Sequence, residues 1–404
     1  MATRILLGAF VTLLLMGSTR YVETTNPGKD AEKYIFAHLQ RLLPPFSEDL
    51  PILVVDIGKI PGGKDQVTSR EALRETLTAI VAQRPTAVAI DVDFSPGTDD
   101  WQSLDDPRFF DYCLQLEQQT NVPIYLGVYR TIASNANTWL GLPKYKKLAA
   151  ALRAEDDTMR LPRWIQAKNS NDRLPLMSAA LADHYRSSHP HAATALSRTV
   201  EVLSAERTIE VRGEDDMLFG VSLVNYSRLA QIQRETSFML KPEAIAESGR
   251  QFSGKMVLLG DASQSYDHFN VPGHEAPIAG VFLIACAAYT LAVEPLYELN
   301  NATRTLLDLL ISALIIVGVE ALRAGYVNKR PGSRFYKKQA RFIVMVVASI
   351  WILGLIMTVW LNIMWFDFPL VTLALFLHPR VEHYLAENWK KIRRKSVSHA
   401  HSRE

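Results

Sequence analysis

Carboxylates follow three short apolar runs of the chain, and their type and placement suit the binding of a cation or a polar ligand. In open α/β sheets, ligands collect at the carboxyl ends of the strands, so we expect these side chains to share one sheet edge. Carboxylate oxygens are typical ligands of hard cations. The alternative interpretation is that the acids close turns, cap helices or pair with Lys and Arg. The candidate ligand-binding residues are Asp56, Asp91, Asp93, Asp261 and, in the loop that follows, Asp267.

The loop at 265–275 adds His268 and His274 to Asp267, but this spacing matches no zinc signature. A solvated loop is therefore the favoured interpretation of the segment. The chain contains no P-loop, protein-kinase motif set, nucleophile elbow or HExxH motif. We expect no enzymatic activity and no cofactor, and the identity of any bound metal stays open.

Alternating strands and helices, the pattern of parallel βαβ units, would position these side chains. Thr68 and Glu71 have the spacing of a capping box at the start of the first of these helices. Residues 131–215 are polar and irregular apart from one helical stretch, and we expect an excursion on the sheet. The predicted class is α/β, with a parallel or mixed sheet, flanking helices and a transmembrane helical segment. Predicted strands cover 51–57, 86–92, 122–128, 218–226 and 256–260, and further predicted helices cover 107–119, 176–187 and 277–293.

The chain has two cysteines, Cys113 and Cys286, and both lie in segments with apolar helical spacing. A disulfide would be stable in an oxidising compartment. The helical spacing instead favours two buried thiols that pack as small hydrophobic side chains.

Long apolar runs occur near the two ends of the chain. Residues 343–361 carry no charge and are long enough to cross a bilayer core of about 30 Å. Residues 305–322 carry acids only near their ends, and residues 362–378 read as a turn followed by a last span. The run at 5–17 predicts a retained anchor or a signal peptide, and we favour the anchor because no A-x-A cleavage site follows.

The basic residues set the expected orientation, because loops rich in Lys and Arg stay on the cytoplasmic side. Residues 323–341 contain several Lys and Arg and no acid, and the tail contains KKIRRK. Both segments are therefore expected inside, which places the large domain outside, on a multi-pass protein of a bacterial inner membrane. The predicted domains are 1–20 as anchor, 21–302 as extracytoplasmic domain, 303–380 as three transmembrane helices and 381–404 as basic cytoplasmic tail.

Several blocks of the chain together resemble the CHASE2 sensor domain. They are ILVVDI and RPTAVAIDVDFS with their strand-end aspartates, Asn225-Tyr226, and the long stretch FSGKMVLLGDASQSYDHFNVPGHEAPIAGVFLIACAAYTL. The order of one N-terminal span, an outer domain and three C-terminal spans also resembles that family. The likeness covers nearly the whole chain and implies sensing outside the cytoplasm.

Three positions depart from the family pattern. Ile90 stands where the family typically has Gly, Ser227-Arg228 follows Asn-Tyr where the family has Arg-Gly, and Ile284 replaces a His in the last helix. A ligand contact through that His is therefore not expected in this chain.

CHASE2 domains usually precede an output module, but the roughly 25 residues after the last predicted span are too few for such a module. The resemblance therefore implies a sensor that passes a signal to a separate membrane or cytoplasmic partner. The alternative is a membrane-anchored scaffold subunit that binds other envelope proteins. Leu385 and Trp389, four residues apart, are the candidate partner contacts if the last helix continues. Lipid is the other expected partner, nucleic acid is not expected, and a homodimer is left open.

Overall fold

The structure is a computed structural model, and the chain forms two compact units: Ala37–Tyr297, and Met1–Phe36 together with Glu298–Glu404. We call the first of these the α/β unit. The structure describes residues 17–18, 21–22, 25–43, 50–60, 68–95, 103–128, 148–150, 158–167, 173–189, 207–211, 217–235, 245, 251–263, 268–324, 333–366, 384 and 388.

Helices and short strands alternate through the described residues. The helices are α1 Asn26–Gln40, α2 Arg70–Ala82, α3 Asp106–Thr120, α4 Met177–Ser188, α5 Leu229–Glu235, α6 Gly280–Ala292, α7 Asn301–Ala324 and α8 Ser333–Leu361. The strands are β1 Ile52–Asp56, β2 Ala87–Ile90, β3 Ile124–Val128, β4 Leu148–Ala150, β5 Arg160–Ala167, β6 Arg173–Pro175, β7 Arg207–Val211, β8 Met217–Leu223, β9 Met256–Gly260, β10 His268–Phe269, β11 Ile278–Ala279, β12 Tyr297–Glu298 and β13 Ile363–Met364.

A five-stranded parallel sheet forms the centre of the α/β unit, in the order β1-β9-β2-β3-β4. Alternate residues of its strands, such as Leu53, Val55 and Leu259, pack in one buried cluster with α2 and α3. The same strands contact α4 and α6 as well. Side chains of a strand alternate between its faces, so helices on both sides explain why these strands are apolar throughout. The prediction of an α/β fold with a parallel sheet and flanking helices is confirmed.

A second sheet of four antiparallel strands, in the order β6-β5-β8-β7, corrects two predictions. Part of the segment predicted as irregular, 131–215, forms β5, β6 and β7 besides α4 and β4. The predicted strand at 218–226 is β8, which pairs antiparallel with β5 and β7 and not with the parallel sheet. Among the described residues, its buried cluster consists of Ile165, Leu176, Phe219 and Val221. An antiparallel sheet tolerates one face in water, which explains the polar composition that hid these strands.

The start of α2 differs by one residue from the capping box predicted at Thr68. Ser69 is the N-cap, and its hydroxyl accepts a hydrogen bond from the Ala72 amide at 3.4 Å. Arg70 follows, and its Nε lies 2.6 Å from Asp106 at the start of α3, with both side chains buried. The long-range ion pair therefore fixes where α2 begins.

Both cysteines are buried and free, as the apolar helical spacing predicted. Cys113 lies on α3 and Cys286 on α6. Burial raises the pKa of both thiols well above the ordinary value. Thiols in this state pack as small apolar groups and do not react readily.

The second compact unit contains α7 and α8. Among the described residues, one stretch, Arg341–Leu361, is long and apolar enough to cross a membrane, and it contains the predicted span 343–361. The predicted span 305–322 lies within α7, and Gly318 of α7 lets the ring of Phe342 approach closely, because a Cβ there would lie 2.1 Å from the ring. The predicted basic loop at 323–341 is helical from Ser333 onward.

Asn362, with a φ of 53°, ends α8 in the left-handed region, where the sequence predicted a turn. The rest of the last predicted span, 367–378, lies outside the described residues, as do the run at 5–16 and the candidate partner contacts Leu385 and Trp389.

Candidate functional site

The carboxyl ends of β1, β9 and β2 lie side by side, which brings three of the predicted acids to one edge. Asp56 is level with Gly260 in the β1–β9 pairing, and Ile90 is level with Leu259 in the β2–β9 pairing. Asp91 and Asp261, the residues after these partners, therefore join Asp56 at this edge, which we call the acidic edge. The convergence expected from a parallel sheet is present.

Three acids of this region accept hydrogen bonds from nearby backbone amides. Asp56 Oδ1 accepts from the amides of Gly58 at 2.9 Å and Ala262 at 3.1 Å. Asp93 accepts from the Ser95 amide at 2.8 Å, and Asp261 accepts from the Ser263 amide at 2.7 Å. These bonds to a residue two positions ahead are Asx turns, so the turn-closing alternative has direct support.

Gly58 is required where the loops after β1 and β9 meet. A Cβ at this position would lie 2.1 Å from Asp261 Oδ1. Among the described residues, no group of three or more His, Cys, Asp or Glu side chains is arranged to hold a metal ion. Asp267 lies outside the described residues, so its predicted place in the site stays a prediction.

A cavity of about 410 Å³ opens in another part of the α/β unit. Three segments far apart in sequence supply its polar lining: the end of α1, the turn after β8, and the turn between β10 and β11. We call it the arginine cavity. Its polar lining residues are Gln40, Arg41, Tyr226, Ser227, Arg228 and His274.

Buried hydrogen bonds hold the walls of the arginine cavity in place. Gln40 Nε2 donates to the carbonyl of Val224 at 2.7 Å, which joins the end of α1 to the turn after β8. The Tyr226 hydroxyl donates to the carbonyl of Thr158. Gly273, with a φ of 86°, brings the third wall against Ala37, because a Cβ there would lie 3.2 Å from the Ala37 side chain.

The arginine cavity has a positive electrostatic character. Arg41 and Arg228 line it, and none of the lining residues that the structure describes is acidic. Partial burial lowers the pKa of His274, and the nearby charge of Arg41 lowers it further. The effect of Arg41 on His274 is the one expected where the local electrostatic potential is positive, because a neighbouring cation disfavours the charged form of histidine.

A buried polar network lies directly behind the turn after β8. The backbone amide of Asn225 donates to Thr290 Oγ1 at 2.8 Å. The side-chain Nδ2 of Asn225 donates to Glu294 Oε2 at 3.1 Å. Asn225 Oδ1 accepts from the backbone of Ser227 at 2.9 Å. Asn225 therefore connects a cavity-lining turn to α6 and the residues just after it.

Arg228 takes part in both the arginine cavity and this network. Its Nη1 donates to Gln231 Oε1 at 3.1 Å, and its charge acts to lower the pKa of Tyr289 and of Glu294. Burial raises the pKa of Glu294, while the hydrogen bond from Tyr289 and the Arg228 charge act in the opposite direction. The pKa of Tyr289 is raised mainly by burial and, to a smaller extent, by the hydrogen bond with Glu294.

A parallel sheet covered by helices on both faces places this unit in the α/β class of domains. The CHASE2 domain model matches residues 7–319, and the chain therefore belongs to this family of extracytoplasmic sensor domains. No curated protein and no solved structure matches the chain.

The resemblance read from the sequence is thus confirmed, and the structure places Tyr226 of its Asn-Tyr motif in the lining of the arginine cavity. Sequence reasoning noted Arg228 only as a departure from the family pattern and favoured a solvated loop for His274. It missed Gln40, Arg41 and Glu294. Gln40 and Glu294 reach this region through contacts between residues far apart in sequence. In the sequence, the Asn-Tyr motif of the family was therefore the one signal that pointed to the region.

Proposed function

We propose that this chain is a membrane-anchored sensor whose α/β unit binds a ligand outside the cytoplasm and signals to a separate partner protein. The arginine cavity is the observation that carries the proposal. Its walls come from three segments that are distant in sequence, so a ligand there contacts all three at once. Such a site can convert binding into a change in the relative stability of two conformations.

If the chain were instead a scaffold subunit, its outer domain would be expected to carry a large exposed apolar patch for binding other proteins. In the described part of the α/β unit, the exposed large apolar side chains are Leu42 and Leu104, which lie in different segments. This distribution supports ligand binding over scaffolding. The proposal includes no catalytic step.

Membrane anchoring is supported by the apolar surface of α8. Large side chains such as Trp351, Ile352, Ile356 and Trp360 are exposed along it, and Trp360 is 80% exposed. Apolar side chains exposed along a helix of this length suit a lipid environment. Lys and Arg at the start of α8 would then face the cytoplasmic surface.

The proposed orientation predicts the activity of reporter fusions. Alkaline phosphatase folds only outside the cytoplasm, so its fusion after residue 300 should be active and its fusion after residue 335 inactive. Cytoplasmic reporter fusions at the same positions provide the control, with the opposite pattern expected. An inactive phosphatase after residue 300 would overturn both the orientation and the sensor proposal.

Ligand binding predicts that a small molecule stabilises the full chain through the arginine cavity. The full chain in neutral detergent is tested by thermal unfolding against a panel of neutral, cationic and anionic small molecules. At least one compound should raise the Tm of the native protein and not that of Ser227→Trp, which fills the cavity from an exposed position. If no compound does so, the sensor proposal fails and the scaffold alternative takes its place.

A further inference from the structure

We propose that the arginine cavity binds a small anion carrying carboxylate or phosphate groups, and that its occupancy is coupled to Glu294 through Asn225. This inference rests on the proposed function, since it names the ligand class of the same site. The two arginines supply the specificity, and no acid accompanies them in the described part of the lining. Arginine is suited to this role because its planar guanidinium pairs with carboxylate and phosphate through two parallel hydrogen bonds.

The remaining walls define the size and polarity of the anion. Leu43 and Pro272 supply apolar surface, and Ser227 supplies a hydroxyl. The cavity volume of about 410 Å³ lies in the range of small-molecule sites. A short-chain dicarboxylate or a phosphorylated small molecule fits this combination better than a large polymer does.

The link to Glu294 gives the anion an effect beyond the cavity. Glu294 lies between the end of α6 at Ala292 and the start of α7 at Asn301. Asn225 Oδ1 accepts from the backbone of Ser227, which lines the cavity, and Asn225 Nδ2 donates to Glu294 Oε2 at 3.1 Å. An anion beside Ser227 and Arg228 therefore acts on a turn that is hydrogen-bonded to Glu294, and it partly neutralises the Arg228 charge that acts on this carboxyl group. Occupancy of the cavity is thereby coupled to the segment that leads into α7.

The test measures binding of three probes to the full chain in neutral detergent by titration calorimetry at fixed ionic strength. Succinate and inorganic phosphate represent the two anion chemistries, and succinamide is the neutral match of succinate. At least one anion should bind, and succinamide should not. Arg41→Gln should weaken binding roughly tenfold or more, the loss expected for one charge-assisted contact. Arg108→Gln, which changes an exposed arginine on α3, should bind as the native protein does.

Glu294→Gln tests the coupling between the cavity and Glu294. Glutamine keeps an oxygen that accepts the Asn225 hydrogen bond but removes the carboxylate charge. The variant should bind the anion severalfold more tightly, because one negative charge near the cavity is lost. A purely structural role of Glu294 would leave the affinity unchanged or lower it, and either result would overturn the coupling.

The outcomes also separate this inference from the proposed function. If a neutral or cationic compound stabilises the native protein but not Ser227→Trp, the chain is a sensor and the anion assignment is wrong. Equal binding of anions by the native protein and Arg41→Gln would likewise overturn the anion assignment. If phosphate binds and succinate does not, the ligand class narrows to phosphorylated molecules.

Discussion

Asp56 carries two hydrogen bonds that join neighbouring loops. Its Oδ1 accepts from Gly58 in its own loop and from Ala262, which follows β9. The second bond connects residues that are 206 positions apart. A carboxylate that joins two loops at the edge of a sheet stabilises the fold whether or not it also contacts a ligand.

Asp56→Ala should therefore lower the stability of the α/β unit by about 1.5–3 kcal/mol, the range for hydrogen bonds to a charged group. Asp56→Asn should lose less, because the amide oxygen still accepts both bonds. Thermal unfolding followed by near-ultraviolet circular dichroism measures the difference.

Asp93→Ala removes the hydrogen bond to the Ser95 amide and is expected to cost at least about 1 kcal/mol. A stability equal to that of the native protein, combined with loss of a ligand-induced rise in Tm, would instead favour the ligand-site interpretation of Asp93.

At the scale of elements, a buried ion pair joins the starts of α2 and α3. Arg70 Nε donates to Asp106 Oδ1 at 2.6 Å, and Asp106 Oδ2 accepts from the backbone of Ser103 at 3.1 Å. The Arg70 guanidinium lies 4.4 Å above the ring of Phe94, whose ring stacks on Phe109. The position of both helices on the sheet depends on this cluster.

Asp106→Ala should destabilise the α/β unit by roughly 3–5 kcal/mol, because it leaves the Arg70 charge buried without its carboxylate. Asp105→Ala is the matched control. Asp105 is adjacent and exposed and makes no side-chain cap hydrogen bond, so its change should cost less than about 0.5 kcal/mol. Chemical denaturation measures both values, and similar losses in the two variants would contradict the role assigned to the pair.

At the scale of the whole molecule, the proposed signal has to reach a partner. The sequence places Leu385 and Trp389 four residues apart, on one face if the segment is helical. We propose that this face, which lies outside the described residues, contacts the partner.

Changing both Leu385 and Trp389 to Ala should then reduce recovery of partners from membranes without lowering the Tm of the α/β unit. Purification with quantitative mass spectrometry measures that recovery. A variant with Lys390 and Lys391 changed to Gln controls for loss of charge alone, and unchanged recovery in the Leu385 and Trp389 variant would show that coupling runs elsewhere.

Short-range patterns in the sequence determined the parallel sheet and the helices that cover it. Strands such as β1 and β9 are apolar throughout because both faces are buried, and helical spacing is visible within two turns. The meeting of Asp56, Asp91 and Asp261 followed from the same pattern, because parallel strands end at a common edge. Family membership also followed from the sequence, through several short blocks read together.

Only the tertiary structure revealed the arginine cavity and the second sheet. Gln40 bonds to Val224 across 184 positions, and Asn225 reaches Glu294 across 69, so no local pattern marks these contacts. The strands of the second sheet are hidden in polar sequence because one face of an antiparallel sheet can meet water. Local hydrophobic periodicity fixes which segments are buried, whereas the pairing of distant polar groups depends on how those segments pack.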